Sequence, residues 1–518
     1  MTAEESLTPA APATVTNPTA GMTTKVVKGS LWTLAGQVAP LLVSLITTPF
    51  VIRMLGAESY GVFILITLIP SYLGFADFGM GLASTKYASE AYGEGDPARE
   101  ARIVRTAAVI ALVSSIPVAL VLFLFSSWIV GIFNVPESLH DEASLALKLS
   151  AIMFVINFLN NIVNTPQLTR LRMDLNTLVT AGFRIFGLIL TPFAVYHSGI
   201  LGAITVLLVS SVLTLLGHLF FSFRLDKYLF EISIDRGMVS TLLKFGGALV
   251  GASIAAVLLV NAEKGILAAN VSSAALAHYS VAFTLANMMA LFSTAMVQSL
   301  VPAFSQLQSE ENRAHLNSLY SRGIRLSLIW LVPALGFIAI IGRVFFNYWA
   351  GKEFADESTL PLYILLVGIA FNVLAYFPSA ILISSGRADL FAKLYWAELA
   401  VYVVLVWVLS SSLGAVGAAI AWSIRVAADA IIMFFLASRI SRVEYTQRSR
   451  LPFAIATGVM LVPVITTLAA GHAGVIVFVM EAVCLLFYAV FVYKGMLEPE
   501  EIGWLSSQID RRFVRSSP

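Results

Sequence analysis

Charge is what this sequence has least of. Only 12% of its 518 residues are Asp, Glu, Lys or Arg, against 58% hydrophobic ones, and its mean hydropathy is +0.86. A soluble domain carries about 25% charged residues, so a chain this long with half that share needs lipid as a solvent. Cysteine is nearly absent. Cys484 alone excludes a disulfide framework and any multi-cysteine metal site, and its apolar run suits a small buried hydrophobe. The histidines (His140, His197, His218, His278, His315 and His472) show no ligand spacing, so no metal is expected. No Gly-x-x-x-x-Gly-Lys-Ser/Thr loop and no soluble domain is present to hold nucleotide, which excludes ATP-driven work on this chain. A net charge of +2 argues for neither nucleic acid nor an acidic partner.

The ten-residue alternating segments of an outer-membrane barrel are missing too. Long apolar runs are present instead, at 30–52, 59–83, 104–133, 144–168, 175–197, 199–223, 241–267, 273–303, 322–347, 358–385, 390–411, 414–438, 451–470 and 473–494. They predict an all-α polytopic membrane protein of about fourteen transmembrane helices, numbered here as spans 1 to 14. Pro40, Pro70, Pro117, Pro192 and Pro333 fall inside spans, where neighbouring helices satisfy the freed carbonyls. Residues 1–24, rich in Thr, Ala and Pro, read as a disordered tail rather than a cleaved signal, with Met22 a second candidate start. Residues 496–518 read as a second tail.

The loops orient the bundle. With the N-terminus inside, 25 of the 32 basic residues fall on the cytoplasmic side. The outer side holds only Arg53, Lys148, Lys264, Arg343 and Lys352, while Arg184 and Arg425 lie within spans. This asymmetry predicts two cytoplasmic termini and an even span count.

Two motifs recur at one offset. Arg172-Met173-Asp174-Leu175 matches Arg387-Ala388-Asp389-Leu390, and Gly199-Ile200-Leu201-Gly202-Ala203 matches Gly414-Ala415-Val416-Gly417-Ala418, each 215 residues on. A looser match pairs the loop beginning at Leu55 with that beginning at Ala274. Two six-helix repeats follow, an N-lobe over 25–230 and a C-lobe over 231–445, with spans 13 and 14 (446–495) outside the repeat. An even number of spans per repeat places the symmetry axis along the membrane normal and the natural site in the cleft between the lobes.

The stretch GAESYGVFILITLIPSYLGFADFGMGLASTKYASEAYGEGD (56–96) resembles the N-terminal signature of the polysaccharide transporters. These are the O-antigen and exopolysaccharide flippases of the multidrug/oligosaccharidyl-lipid/polysaccharide exporter superfamily. The RMDL loop, the 261–282 stretch and the GAVGAAIAW start of span 12 extend the resemblance over about residues 25–495. It implies a V-shaped, two-lobed carrier in the bacterial inner membrane. Such a carrier moves an undecaprenyl-diphosphate-linked oligosaccharide by alternating access, working beside glycosyltransferases and a polysaccharide polymerase. Where the family often has Asp in span 7, this chain has Glu263.

Charges inside hydrocarbon cost about 2.5–3.5 kcal/mol each on insertion scales, so each needs a reason. Arg184 sits about ten residues into span 5 among Phe183, Ile185 and Phe186. It reads either as a snorkelling residue or as a cavity-facing fork for the diphosphate. Arg425 and Asp429 are one turn apart on span 12 and read as a self-neutralised pair. Alternatively, Asp429 or Glu398 takes a coupling cation, a proton or sodium, while Arg425 meets substrate. Glu263 and Lys264 are adjacent and so point different ways; both suit an interfacial cap or a role in ion coupling and substrate contact respectively. Asp77, in the FADFGMG segment, is a further candidate ion site or a bond to a neighbouring helix. Asn157, Asn160, Asn161 and Asn164 fall at i, i+3, i+4, i+7 on span 4, a stripe suited to sugar hydroxyls in a wet cavity or to a neighbouring helix. A multidrug or cation antiporter stays open as an alternative. A membrane polymerase or ligase lacks the long outer loop its chemistry requires. No cofactor is expected beyond the coupling cation.

Overall fold

The computed structural model describes residues 18–230, 235–290, 310–387, 389–443 and 475–495, with isolated positions between 291 and 309. The described residues are helices joined by short turns, without a strand. Among the described residues, seven helices are long and apolar enough to cross a membrane. Three of these regions are too long to cross only once. Helices α1 (Pro18–Tyr72), α7 (Met173–Leu225) and α12 (Asp389–Ile440) have 55, 53 and 52 residues. Each would run about 80 Å if straight, against a hydrocarbon core of about 30 Å.

Each is broken midway at a glycine: Gly56 (φ 73°, ψ 173°), Gly199 (φ 53°, ψ −135°) and Gly414 (φ 58°, ψ −133°). A Cβ does not tolerate such backbone. In α7 and α12 the chain reverses there. A Cβ on Gly202 would strike the Ala194 carbonyl, and one on Gly417 that of Leu409. These pairs would be about 12 Å apart along a straight helix, so α7 and α12 are each a hairpin of two spans.

Between the hairpins run α2 (Met80–Gly93), α3 (Pro97–Leu124), α4 (Ser126–Gly131), α5 (Glu137–Val163) and α6 (Thr165–Thr169). Later come α8 (Arg236–Asn270), α9 (Ser273–Asn287), α10 (Arg313–Trp349), α11 (Lys352–Ser384) and α13 (Val475–Gly495). The expected span 451–470 lies outside the described residues. Span 2, expected to run to 83, ends at Tyr72. A 3-10 turn (Gly74–Asp77) follows, and left-handed Phe78 and Gly79 (φ 50° and 66°) separate it from α2. At the other end α1 begins at Pro18, inside the stretch expected as tail, with the proline in a first turn that needs no N–H from it.

The repeat is written in the backbone as well. Helix α5 begins at Glu137 and α11 at Lys352; α7 ends at Leu225 and α12 at Ile440, each pair 215 residues apart. Leu171 and Gly386, also 215 apart, both have positive φ (53° and 75°) just before the second hairpin of their lobe. Gly56 maps at the same offset onto Val271, which ends α8, so the looser Leu55–Ala274 match is four residues out of the structural register.

One apolar core joins Leu65, Leu147, Phe154 and Ile204; a second joins Tyr279, Phe346, Leu365 and Trp422. Helices α8 and α9 form the seam, packing on α1 on one side and on α12 and α11 on the other. The far ends of the lobes, where the hairpins turn, are tied together. The Trp349 indole donates to the Leu45 carbonyl at 2.7 Å, the Asn134 N–H donates to the Ala268 carbonyl at 3.0 Å, and Arg53 donates to the Tyr348 carbonyl.

Candidate translocation site

Spans 2, 7 and 8 border an open cavity of about 280 Å³ at the seam, lined by Tyr60, Thr67, Ser71, Lys264, Ser280 and Thr284 together with Ile64, Leu68 and Phe283. Hydroxyls and one ammonium make about half of its lining polar. Its size is near the lower limit for a small-molecule pocket, so a larger solute would need a more open arrangement of the lobes. Successive helical residues diverge by about 100°, and Glu263 and Lys264 use that divergence. Lys264 faces the cavity, donating to Asn261 Oδ1 at 3.3 Å with its Nζ 4.9 Å from the Phe283 ring centroid. Tyr72 of span 2 donates to the Asn261 carbonyl at 2.5 Å and so ties the N-lobe to this turn. Glu263 turns into the C-lobe core, fully buried, and its Oε2 accepts the Tyr402 hydroxyl at 2.9 Å.

Tyr402 leads to the charged group on spans 11 and 12. The Arg425 guanidinium lies over the Tyr402 ring, 5.2 Å from its centroid, and 3.5 Å from Glu398 Oε2. Asp429 faces Glu398 from one turn beyond Arg425. The arginine's ion pair therefore runs across to span 11, Asp429 joins it through Glu398, and the pair expected within span 12 becomes a group of three. Both Glu398 oxygens and Asp429 Oδ1 are buried without a hydrogen-bond partner among the described residues. Two carboxyls against one guanidinium leave one charge unmatched, which a buried site tolerates only with a proton or a small cation.

In the N-lobe, Arg184 is exposed, and no hydrogen bond or ion pair engages it among the described residues. Its direction follows from the helix. Leu178, Phe186, Ile189, Phe193 and Tyr196 form the exposed apolar stripe of span 5, and Arg184 projects from roughly the opposite side. That side is flanked by Thr177, packed on Gly36 of span 1, and Gly187, packed on Ser210 of span 6. The arginine therefore points away from the lipid-facing stripe.

The asparagine stripe divides. Asn157 and Asn161 are exposed, on the side of α5 away from exposed Leu145 and Ile152. Asn160 donates to the Ser211 carbonyl and Asn164 to Asn176 Oδ1, both at 3.2 Å, so these two bind neighbouring helices. Asp77 stands apart from every other candidate; its Oδ1 accepts the Gly79 N–H at 2.8 Å and stabilises the break after span 2.

Several polar residues of the assembly escaped the sequence reading. Tyr72 and Tyr402 look like ordinary aromatic residues inside apolar spans, and only their partners reveal them. Glu142 had a usable signal. Its Oε1 accepts the Leu201 N–H at 3.2 Å, capping the second arm of α7 beyond Gly199, and Asp141-Glu142 recurs 215 residues on as Asp356-Glu357.

Two pseudo-equivalent helical lobes, a polar cavity at their seam and buried charges beside it define a two-lobed membrane transporter. The chain belongs to the polysaccharide biosynthesis protein family, whose model matches residues 26–308. It is 24% identical to the Shigella flexneri protein named "Putative O-antigen transporter" over 81% of this chain and 99% of that one. It is also 24% identical to a Haloferax volcanii protein named "Probable low-salt glycan biosynthesis flippase Agl15", over 77% and 81%. Among solved structures the fold is similar to the lipid II flippase MurJ in an inward closed conformation (TM-score 0.70, 12% identity, 91% of this chain and 100% of that one). An inward-facing MATE transporter of the MOP superfamily follows (TM-score 0.63, 15% identity, 79% and 98%).

Proposed function

We propose that this protein moves an oligosaccharide linked through a diphosphate to undecaprenol across the bacterial inner membrane, for cell-surface polysaccharide biosynthesis. The observation that carries this reading is Arg184, an intramembrane guanidinium without a protein partner among the described residues, on the side of span 5 away from lipid. A guanidinium offers paired donors to the diphosphate. Asn157 and Asn161 supply amides for sugar hydroxyls, and Lys264 a second cation in the seam cavity. The names of the two relatives, a transporter of O-antigen and a glycan flippase, support the same substrate class.

The excess of basic residues on one side supports cytoplasmic termini. The lobes would alternate access about their seam, with the far-end ties holding the periplasmic side shut. The group Glu398, Arg425 and Asp429 suits a coupling cation, proton or sodium, and Tyr402 and Glu263 connect it to the turn that bears Lys264. Its acids are also what a cation antiporter would use, but Lys264 and Arg184 repel cationic drugs from the open faces. Glycosyltransferases that build the substrate and a polymerase that consumes it are the natural partners.

The test is export in a strain whose surface polymer depends on this protein. Arg184→Ala should abolish export at unchanged membrane levels, and Arg184→Lys should restore part of it. Full export by the alanine variant removes Arg184 from the substrate path.

A further inference from the structure

Lys148 stands in a wall of apolar side chains. It lies on α5 one turn before Ile152, with its Nζ 5.8 Å from the centroid of the Phe123 ring on α3. No carboxylate or hydrogen-bond partner meets it among the described residues. Directly beside it α3 and α5 separate into a groove of about 280 Å³. Ala119 and Ala151, both buried, form its floor, while Ile116, Leu120 and Ile152, each 44–52% exposed, form its rims. Past the end of the groove, Phe125 and Trp128 are 54% and 68% exposed, the aromatic signature of headgroup depth.

The repeat shows that this groove is not a general consequence of the fold. At the 215-residue offset, Ala151 corresponds to Leu366 and Lys148 to Tyr363. Leu366 is buried in the C-lobe core and Tyr363 packs against that core. Ala119 is matched by Ala334, so the small residue at 151 and the charge at the groove mouth are what the N-lobe alone has.

We propose that this groove binds one acyl chain of an anionic phospholipid, with the lipid phosphate on the Lys148 ammonium. Lipid tails are as apolar as the groove, so the apolar walls by themselves select nothing. The charge makes the site selective. A lysine at the hydrocarbon boundary is costly unless it reaches headgroups or an anion. A zwitterionic headgroup brings its own ammonium to compete for the phosphate, whereas an anionic one does not. The small floor residues let a chain lie close enough to fix the phosphate above Lys148.

The full-length protein carrying p-benzoylphenylalanine in place of Ile152 tests this in vesicles of equal phosphatidylglycerol and phosphatidylethanolamine. After irradiation, mass spectrometry counts the lipid adducts. Phosphatidylglycerol adducts should exceed the others about fivefold, the weight of one lysine–anion contact at a membrane surface. Lys148→Gln should return the ratio to that of the vesicle and Lys148→Arg should keep it. Ala151→Leu, which copies the C-lobe residue, should lower the total adduct yield. The same probe at Phe193, on the exposed stripe of span 5, should report the vesicle ratio in every variant, showing that each is folded and embedded. A vesicle ratio at Ile152 in the unsubstituted protein, a selective ratio that survives Lys148→Gln, or a yield unchanged by Ala151→Leu would each overturn the proposal.

Discussion

Glu263 and Lys264 occupy neighbouring positions and serve different environments, so their substitutions should separate. Lys264→Ala removes a cavity-lining cation and should depress transport while leaving thermal stability nearly unchanged, within about 0.5 kcal/mol. Glu263→Ala leaves the buried Tyr402 hydroxyl without its acceptor and opens a void. It should cost about 1–3 kcal/mol, measured as a lowered melting temperature in detergent. Equal effects on both properties would mean that the two residues share one environment. The asparagines make a similar contrast. In a Cys484→Ser background, cysteines at Asn157 and Asn161 should react with a membrane-impermeant thiol reagent, and cysteines at Asn160 and Ile162 should not. Labelling of all four, or of none, contradicts an open face bounded by helix contacts. The intramembrane charges were legible in sequence because hydrocarbon makes each one conspicuous. The division of the asparagine stripe was not, since it depends on how closely α7 approaches one edge of α5.

The hairpin glycines and the charged corner of the N-lobe belong to the scale of elements. Gly199→Ala and Gly414→Ala force a Cβ into backbone near φ 55°, ψ −135°. Each should lower stability by about 1–3 kcal/mol in a thermal unfolding assay; no change would mean that the turn relaxes freely. These glycines could be found from sequence because they repeat at one offset. The corner could not, because Glu100 sits in a polar segment that reads as a solvated loop. In the fold it is fully buried; it accepts from Arg170 at 2.5 Å and from the Thr169 hydroxyl at 2.8 Å. Nearby, Arg105 donates to the Tyr228 carbonyl at 2.5 Å, and burial pushes the Asp226 carboxyl above the usual carboxylate range. This corner fastens the connection between the lobes to the N-lobe. At the C-lobe equivalents of Arg170 and Asp226, Ser385 and Ser441 share a hydrogen bond of 2.9 Å instead. Glu100→Gln should therefore destabilise the protein by about 3 kcal/mol, since it takes the carboxylate from the Arg170 guanidinium and leaves only its contacts to the Pro166 carbonyl, Thr169 and the Tyr92 ring. A melting temperature equal to the parent's would show that the corner is solvated.

For the whole molecule, the helical class, the repeat and the placing of most spans were readable because lipid imposes length and polarity on every crossing. The break after span 2 was not legible, although it falls in the glycine-bearing FADFGMG segment, because Phe78 in left-handed backbone has no sequence signature. The seam was legible as a location but not as a surface, since its cavity is assembled from Tyr60, Ser71, Lys264 and Thr284 on spans far apart in the chain. The proposed transport of an anionic lipid-linked glycan would unite Arg184, which has no partner among the described residues, with the exposed amides and the seam lysine. Its most direct measurement uses proteoliposomes with a fluorescent undecaprenyl-diphosphate oligosaccharide on the inner leaflet and an impermeant glycosidase outside. A flippase predicts that the label becomes cleavable at a rate set by the amount of protein, and that Arg184→Ala stops this. The contrary result is a label that stays protected while the same vesicles expel a cationic dye down an imposed cation gradient.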